Sequence, residues 1–487
     1  MPEPPQQPPK PLPGSRDRAL AARTPRILHL DVDAFLASVE VARNPRLLGR
    51  EVIVGGAPNS RNLVMSCSYE ARAKGVRPGM RSNEAAVRCP HGVFLPGDSQ
   101  EANRKRLEIA RVLLDLSPRV ELASIDDFFV DLTGSARLLG DAFVVAEGIR
   151  ERVAREVRMP LTAGVGTSKI LARLAGKLAK PGGIAEILPG CERAFLSRLP
   201  VEHLPGVGHS AQAKLSTFAI RTVGDLRLVS REVLFATFGS LGLVLYDRAR
   251  GIDPEPVESG CHLDPGGEVV VRPPRSIRRD STFEPEEGRP EQIEAMLAYL
   301  VDRAAARLRG HSLVAGSMEV RLIHVDTRPP HVRRAGGGRG SGQVQSRRKL
   351  SDPCADTDRL WEHARSLLRG LPRRRALVKR VGLTLLNLRT SRGRQGLLFS
   401  DPERDRAPRG SASRRAVSGA KTAQGSADRD GVPGSRDDRA RALDEALDAL
   451  RSRHGFGALV RGASLPLIQD HELGGDGFVL RTPSLNQ

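Results

Sequence analysis

Residues 27–40 read Ile-Leu-His-Leu-Asp-Val-Asp-Ala-Phe-Leu-Ala-Ser-Val-Glu, an apolar strand that runs into two aspartates. Side chains alternate along a strand, so Asp31 and Asp33 are expected on one face. Two carboxylates side by side repel, and burying them is costly without a cation. Residues 124–131, Ser-Ile-Asp-Asp-Phe-Phe-Val-Asp, have the same character, with Asp126 and Asp127 adjacent where an apolar strand continues. If the two strands are neighbours, Asp31, Asp126 and Asp127 converge on one spot. Oxygen-only ligands with open positions suit Mg²⁺ rather than zinc. A pair of such ions is the machinery of phosphoryl and nucleotidyl transfer. Aspartates at ordinary strand ends would read the same way, and spacing alone leaves both readings open.

Outward from these stretches the chain alternates. Hydrophobic periodicity predicts helices over 101–116, 141–157 and 168–179, and strands over 51–54, 120–132 and 161–165. The result is an α+β layer. Residues 190–255 read as all-helical, and 256–271 as a Pro/Gly-rich linker. A second alternation follows: strand 276–283, helix 290–309, strands 315–325 and 344–350, helix 356–370 and strand 377–388. That is βαββαβ, a ferredoxin-like split motif. Residues 1–25 and 400–437 have disordered composition, and a last helix is expected over 438–453.

Three further motifs carry chemistry. Tyr69 and Arg72, three apart on a helical turn, can present a hydroxyl and a guanidinium to one phosphate chain, or simply form a solvated face. Lys180, before Pro181-Gly182-Gly183, is placed to reach a triphosphate as a point charge, or to act as a favourable cation at a helix C-terminus. Leu204-Pro-Gly-Val-Gly208 between short helices exposes backbone N–H groups through Gly206 and Gly208, which bind phosphate without reading sequence.

Composition narrows the class. Of 487 residues, Lys+Arg number 77 and Asp+Glu 57, a net charge of +20, almost all of it arginine. Such charge favours a polyanionic partner, with nucleic acid foremost, although a GC-rich genome writes arginine by habit. Aromatics at 3% argue against recognition by many base-stacking platforms. No run of ~18 apolar residues exists, so no membrane span is expected. The Pro-rich N-terminus lacks the apolar core of a secretory signal. Five scattered cysteines without a CxxC pair give neither a disulfide framework nor a structural zinc site. A reduced, cytoplasmic protein is expected.

Taken together and in order, these features resemble the Y-family (translesion) DNA polymerases, in their DNA polymerase IV or DinB-like branch. The resemblance covers about residues 26–395 and rests on HLDVDAFLASVE at 29–40, SYEARAKGVRPGM at 68–80, SIDDFFVDLTG at 124–134, GVGTSKILARLAGKLAKPGG at 164–183, LPGVG at 204–208 and RARGID at 248–253. It implies a right-hand fold: palm (26–42 and 96–187), fingers (43–95), helical thumb with a helix–hairpin–helix (188–255), and a ferredoxin-like little finger (272–392). It implies template-directed, error-prone addition of deoxynucleotides to a primer 3′-OH, in DNA repair and damage tolerance. Asp31, Asp126, Asp127 and the Val32 carbonyl would hold two Mg²⁺ ions, while Tyr69, Arg72, Lys180 and backbone N–H groups near Phe35 would hold the incoming triphosphate. Gly206 and Gly208 would meet DNA phosphates.

Two positions depart from the family pattern. Asp127 stands where Glu is usual, one methylene shorter. Leu36 stands where Tyr or Phe usually gates against a ribose 2′-hydroxyl. Both leave room for a weakened enzyme or an inactive adaptor that binds DNA and the sliding clamp, yet all three acids are kept. Gln395, Leu397, Leu398 and Phe399 resemble the peptide that docks on the sliding clamp, within a tail region at 393–437. A Gln with Leu-Leu-Phe on a leash fills an apolar pocket, and a plain strand end would read similarly. A monomer is expected, with primer–template DNA, deoxynucleoside triphosphates and the clamp as partners.

Overall fold

The computed structural model describes residues 24–60, 62–325, 342–372, 374–391 and 436–469. The chain divides between Arg272 and Pro273 into two compact units. In the first, β1 (Ile27–Val32), α1 (Phe35–Arg43), β2 (Val52–Val54), β3 (Ser66–Cys67), α2 (Tyr69–Ala73), α3 (Ser82–Arg88), β4 (Val93–Leu95) and α4 (Ser99–Leu114) come first. Then follow β5 (Val120–Leu122), β6 (Asp127–Asp131), α5 (Ala142–Glu156), β7 (Leu161–Gly166), α6 (Lys169–Ala179) and β8 (Ile184–Glu186). The helical stretch holds α7 (Glu192–Ser197), α8 (His209–Thr217), α9 (Val223–Leu228), α10 (Arg231–Phe238) and α11 (Ser240–Arg248).

The palm sheet has the order β5-β6-β1-β7-β8, with β1 antiparallel to both its neighbours. The expected neighbourhood of the two aspartate strands is therefore met. Alternation in β1 sorts its side chains. Leu28, Leu30 and Val32 join Ile109, Leu113, Ile149 and Val153 of α4 and α5 in the main core. Ile27 packs on the opposite face with Phe129 and Ala172, and the His29 ring packs tilted against Phe129.

Helix α6 lies against β7 with almost no side chain between them. A Cβ added at Gly164 would sit 2.1 Å from the Ala172 carbonyl oxygen and 2.2 Å from the Gly176 nitrogen. Only glycine permits this approach, and it fixes the height of α6 above the sheet. The fingers form a small sheet, β3-β2-β4, around Ile53, Cys67, Ala71, Val76 and Ala85.

The stretch read as a bare linker over 256–271 is instead folded. It forms a hairpin, β9 (Cys261–Leu263) and β10 (Val269–Val271), around the turn Asp264-Pro-Gly-Gly. Cys261 is buried in the main core, and the Gly260 N–H donates to the Val120 carbonyl at 2.8 Å. The Pro/Gly content belongs to the turn and flanks, while the valines of β10 supply the strand.

The second unit runs β11 (Ile277–Glu287), α12 (Pro290–Gly310), β12 (Leu313–His324), β13 (Gln343–Cys354), α13 (Thr357–Arg369) and β14 (Val378–Thr390). The βαββαβ order is as expected, in a sheet ordered β11-β14-β12-β13 with every pairing antiparallel. A further helix, α14 (Arg436–His454), and the chain to Leu467 pack on this unit, with Leu467 inside its core. Among the described residues no helix is long and apolar enough to cross a membrane. The segments 1–23 and 392–435, including Gln395, Leu397, Leu398 and Phe399, lie outside the described residues.

Candidate active site

Asp31 lies opposite Asp127 across β1 and β6, and opposite Thr162 across β1 and β7. The two carboxyl groups face each other at the open end of the sheet. Burial, together with the neighbouring Asp127 charge, pushes the Asp31 carboxyl up, against the pull of Lys180, whose ammonium is bonded to Asp31 Oδ1. Burial also disfavours the Asp127 charge, but His29 and Arg173 overcome it and hold that carboxyl below its usual range. Arg173 Nη2 donates to Asp127 Oδ2 at 3.0 Å, and His29 Nε2 lies 3.3 Å from Oδ1. Burial lowers the His29 pKa, and Arg173 Nε also donates to His29 Nε2 at 3.5 Å.

Asp126 stands one residue before β6. The Val32 N–H donates to its carbonyl at 3.0 Å, which ties Asp126 to the end of β1. Its carboxylate accepts from the Ser124 hydroxyl, which in turn accepts the N–H groups of Asp126 at 3.2 Å and Asp127 at 3.1 Å. The expected three-way convergence is thus only partial: Asp31 and Asp127 meet, while Ser124 holds the Asp126 side chain in its own turn. Among the described residues no three acidic, His or Cys side chains are gathered closely enough to hold a metal ion. The donor chemistry nevertheless fits a hard divalent cation. The available groups are carboxylate and carbonyl oxygens, and two opposed carboxylates that resist joint ionisation are relieved by such a charge.

Asp33 does not share the face of Asp31. β1 ends at Val32, and Ala34 takes φ +48°, which turns the chain. Asp33, only 3% exposed, accepts from Tyr69 Oη at 3.1 Å, from Thr162 Oγ1 at 2.8 and 2.9 Å, and from the Gly182 N–H at 2.8 Å. It joins palm, fingers and the Lys180-Pro181-Gly182 loop. Burial and the Asp33 charge push the Tyr69 phenol up to about 12, so it stays protonated and donates. The Arg72 guanidinium stacks on the Tyr69 ring at 4.6 Å and donates to the Cys67 carbonyl at 3.1 Å.

Phe35 and Leu36 open α1 and are both buried in the main core, Leu36 at 6% exposure. In the thumb, Gly206 adopts φ +100°, and Arg248 donates to the Pro205 carbonyl at 2.9 Å behind the hairpin. Gly208 is the N-cap of α8, and no side chain caps that helix. Its first N–H groups therefore point outward without an internal acceptor.

Sequence reasoning missed His29, Ser124, Thr162 and Arg173. The first and last were within reach. His29 is two residues before Asp31 on the same strand, and Arg173 is seven residues before Lys180, two helical turns away on the same side of α6.

A mixed sheet with opposed carboxylates on its central antiparallel strands, a lysine over one of them, and a helix–hairpin–helix further along the same chain define a nucleic-acid-handling nucleotidyltransferase. Comparisons with known proteins agree. The model of the impB/mucB/samB family matches residues 30–177, that of its C-terminal domain residues 274–398, and the DNA polymerase-iota thumb domain residues 202–253. A DNA polymerase IV of Desulfatibacillum aliphaticivorans is 32% identical over 451 residues, 92% of this chain and 98% of that protein. One from Dehalococcoides mccartyi is 29% identical over 91% of this chain and 98% of its own length. Another, from Halorhodospira halophila, is 35% identical over 62% of this chain and 82% of its own. A solved Y-family DNA polymerase chimera shares the fold, with a TM-score of 0.62 and 22% identity over 75% of this chain and 99% of its own. The chain belongs to the Y-family DNA polymerases, on the DNA polymerase IV branch. Template-directed DNA synthesis of the translesion type, dependent on divalent metal, is the activity of that family.

Proposed function

We propose that this chain extends a DNA primer by one deoxynucleotide at a time, with its chemistry at the Asp31–Asp127 end of the palm sheet. The observation that carries the reading is the opposition of those two carboxylates, one paired with Lys180 and the other with Arg173. Asp31, Asp126, Asp127 and the Val32 carbonyl would hold two Mg²⁺ ions. When bound, these ions lower the pKa of the primer 3′-hydroxyl and neutralise charge on the leaving pyrophosphate.

The chain's own residues supply the rest. Arg72, stacked on Tyr69, offers its guanidinium to the triphosphate, and Lys180 offers a point charge from the end of α6. The uncapped start of α8 after Gly206 and Gly208 takes a DNA phosphate. In the second unit, the sheet face away from α12 and α13 carries Arg278, Arg321, Arg347, Lys349 and Arg380 against Asp280 and Glu319. That basic face suits the duplex backbone. Gln395, Leu397, Leu398 and Phe399 would dock on a sliding clamp. Replacing Gln395, Leu398 and Phe399 with Ala should remove clamp stimulation and spare synthesis without clamp.

Primer extension on undamaged and abasic templates tests the reading. Extension past the lesion with Mg²⁺, and none with EDTA, is expected. Undamaged and damaged templates both left unextended with Mg²⁺ would favour the inactive adaptor.

A further inference from the structure

Between α6 and the palm sheet lies a row of polar side chains: Lys169 with Glu121, then Arg173 and His29 with Asp127. Lys169 and Arg173 lie over the buried ring of Phe129, each 5.1 Å from its centroid, and the His29 ring packs on Phe129 at 4.7 Å, tilted by 50°. Asp127 in this row lies opposite Asp31.

From this geometry we infer that His29 and Arg173 are positioning residues for Asp127, two jaws that hold its two carboxylate oxygens in the orientation catalysis uses. This rests on the polymerase reading above. The jaws come from different elements, β1 and α6, and each takes a different oxygen. A carboxylate held at one oxygen still rotates, whereas one held at both does not. The backbone seat of α6 and the His29 ring are tightly packed. α6 is seated on β7 through Gly164 and Gly176. His29 is 2% exposed, and a Cβ on Gly176 would come within 3.2 Å of its Nδ1. An ionised carboxylate carries about four lone-pair sites. The Arg173 bond on Oδ2 and the His29 contact at 3.3 Å on Oδ1 therefore leave Asp127 able to accept a cation. A group fixed before the reaction costs no reorganisation during it. Arg173 is also part-exposed, so a contact with DNA phosphate is the rival explanation.

The test is a kinetic split with a stability cycle, on the full chain. Arg173→Ala should lower kcat for single-nucleotide insertion ~10–100-fold, the usual cost of losing a partner that orients a ligand. KM for the nucleotide, Kd for primer–template and the salt slope of binding should stay unchanged. Arg173→Lys should recover most of the rate by restoring a cation to Oδ2. His29→Phe, which keeps the ring packed on Phe129 but removes Nε2, should lower kcat in the same way. In EDTA, without DNA, the melting shifts of Arg173→Ala and Asp127→Asn should be non-additive, because the two groups are paired. Wild-type kcat in Arg173→Ala, a loss that appears as weaker DNA binding with a shallower salt slope, or additive melting shifts would overturn the assignment. A wild-type chain that inserts no nucleotide would instead overturn the polymerase reading.

Discussion

Asp33 is the residue whose role changes most between pattern and structure. Its buried carboxylate has four neutral donor contacts and no cation, and it ties Tyr69 to Thr162 and Gly182. Asp33→Ala removes the acceptor of the Tyr69 and Thr162 hydroxyls, while the Gly182 N–H keeps Thr162 Oγ1 as acceptor at 2.9 Å. Each hydroxyl so stranded costs roughly 1–3 kcal/mol, so a marked drop in melting temperature is expected, with Tyr69 and Lys180 no longer held in register. Unchanged melting would show that the donors re-pair. Leu36 carries a second prediction. A larger ring in the packed core typically costs about 1–3 kcal/mol. Leu36→Phe should therefore lower stability while raising the dNTP/rNTP insertion ratio, as measured by single-nucleotide kinetics. An unchanged ratio would remove Leu36 from the sugar gate. Strand alternation and neighbouring strands made Asp31 and Asp127 legible in advance. Asp33 was misread because nothing in the residues LDVDAF shows that the strand stops at Val32. Ser124 was missed because a serine before two aspartates reads as an ordinary turn.

At the scale of elements, the seat of α6 on β7 decides where Arg173 and Lys180 stand. Gly164→Ala drives a methyl into backbone atoms of Ala172 and Gly176 that no rotamer change can move. Destabilisation should exceed the ~1–3 kcal/mol of ordinary overpacking, with a parallel loss of activity. Melting close to wild type would mean that α6 can shift without consequence. Most helices and strands were legible, since the periodicities of α4, α5, α6, α12 and α13 and the apolar runs of β1 and β7 place each within a few residues, whereas the single strand expected over 120–132 is the antiparallel pair β5 and β6, turned at residues 123–126. The β9–β10 hairpin was not, because three-residue strands flanked by Pro and Gly carry no periodicity, and their burial depends on Val120 more than a hundred residues away. The packing role of glycines 164, 166 and 176 was not legible, since close approach is a property of two elements together.

Across the whole molecule, charge is used in two ways. In the reading proposed above, the basic sheet face and α8 offer it to DNA, so binding should weaken steeply with salt, by roughly 0.9 in log K per log salt for each phosphate neutralised. On the α12 side of the second unit it is consumed internally. Asp302 pairs with Arg451 at 3.1 Å and Arg461 at 3.0 Å, and Asp444 pairs with Arg309 at 3.0 Å and Arg461 at 2.7 Å. Arg451 also lies 4.3 Å over Phe456. These pairs seal α14 onto α12, so the C-terminal region is part of the little-finger fold. The helix over 438–453 was legible, but its docking was not, because Asp302 and Arg309 read as solvated charges. Removing one partner of such a buried pair costs about 3–5 kcal/mol, so Arg451→Ala should lower the melting of this unit while leaving extension at low temperature intact. Equal melting would mean that α14 adds nothing. The central claim, that opposed carboxylates on the palm sheet carry out nucleotide addition, is tested most directly by Asp31→Asn in primer extension, with primer–template affinity measured on the same preparation. The expected result is no detectable extension with wild-type DNA affinity. Extension at the wild-type rate by Asp31→Asn would contradict the account.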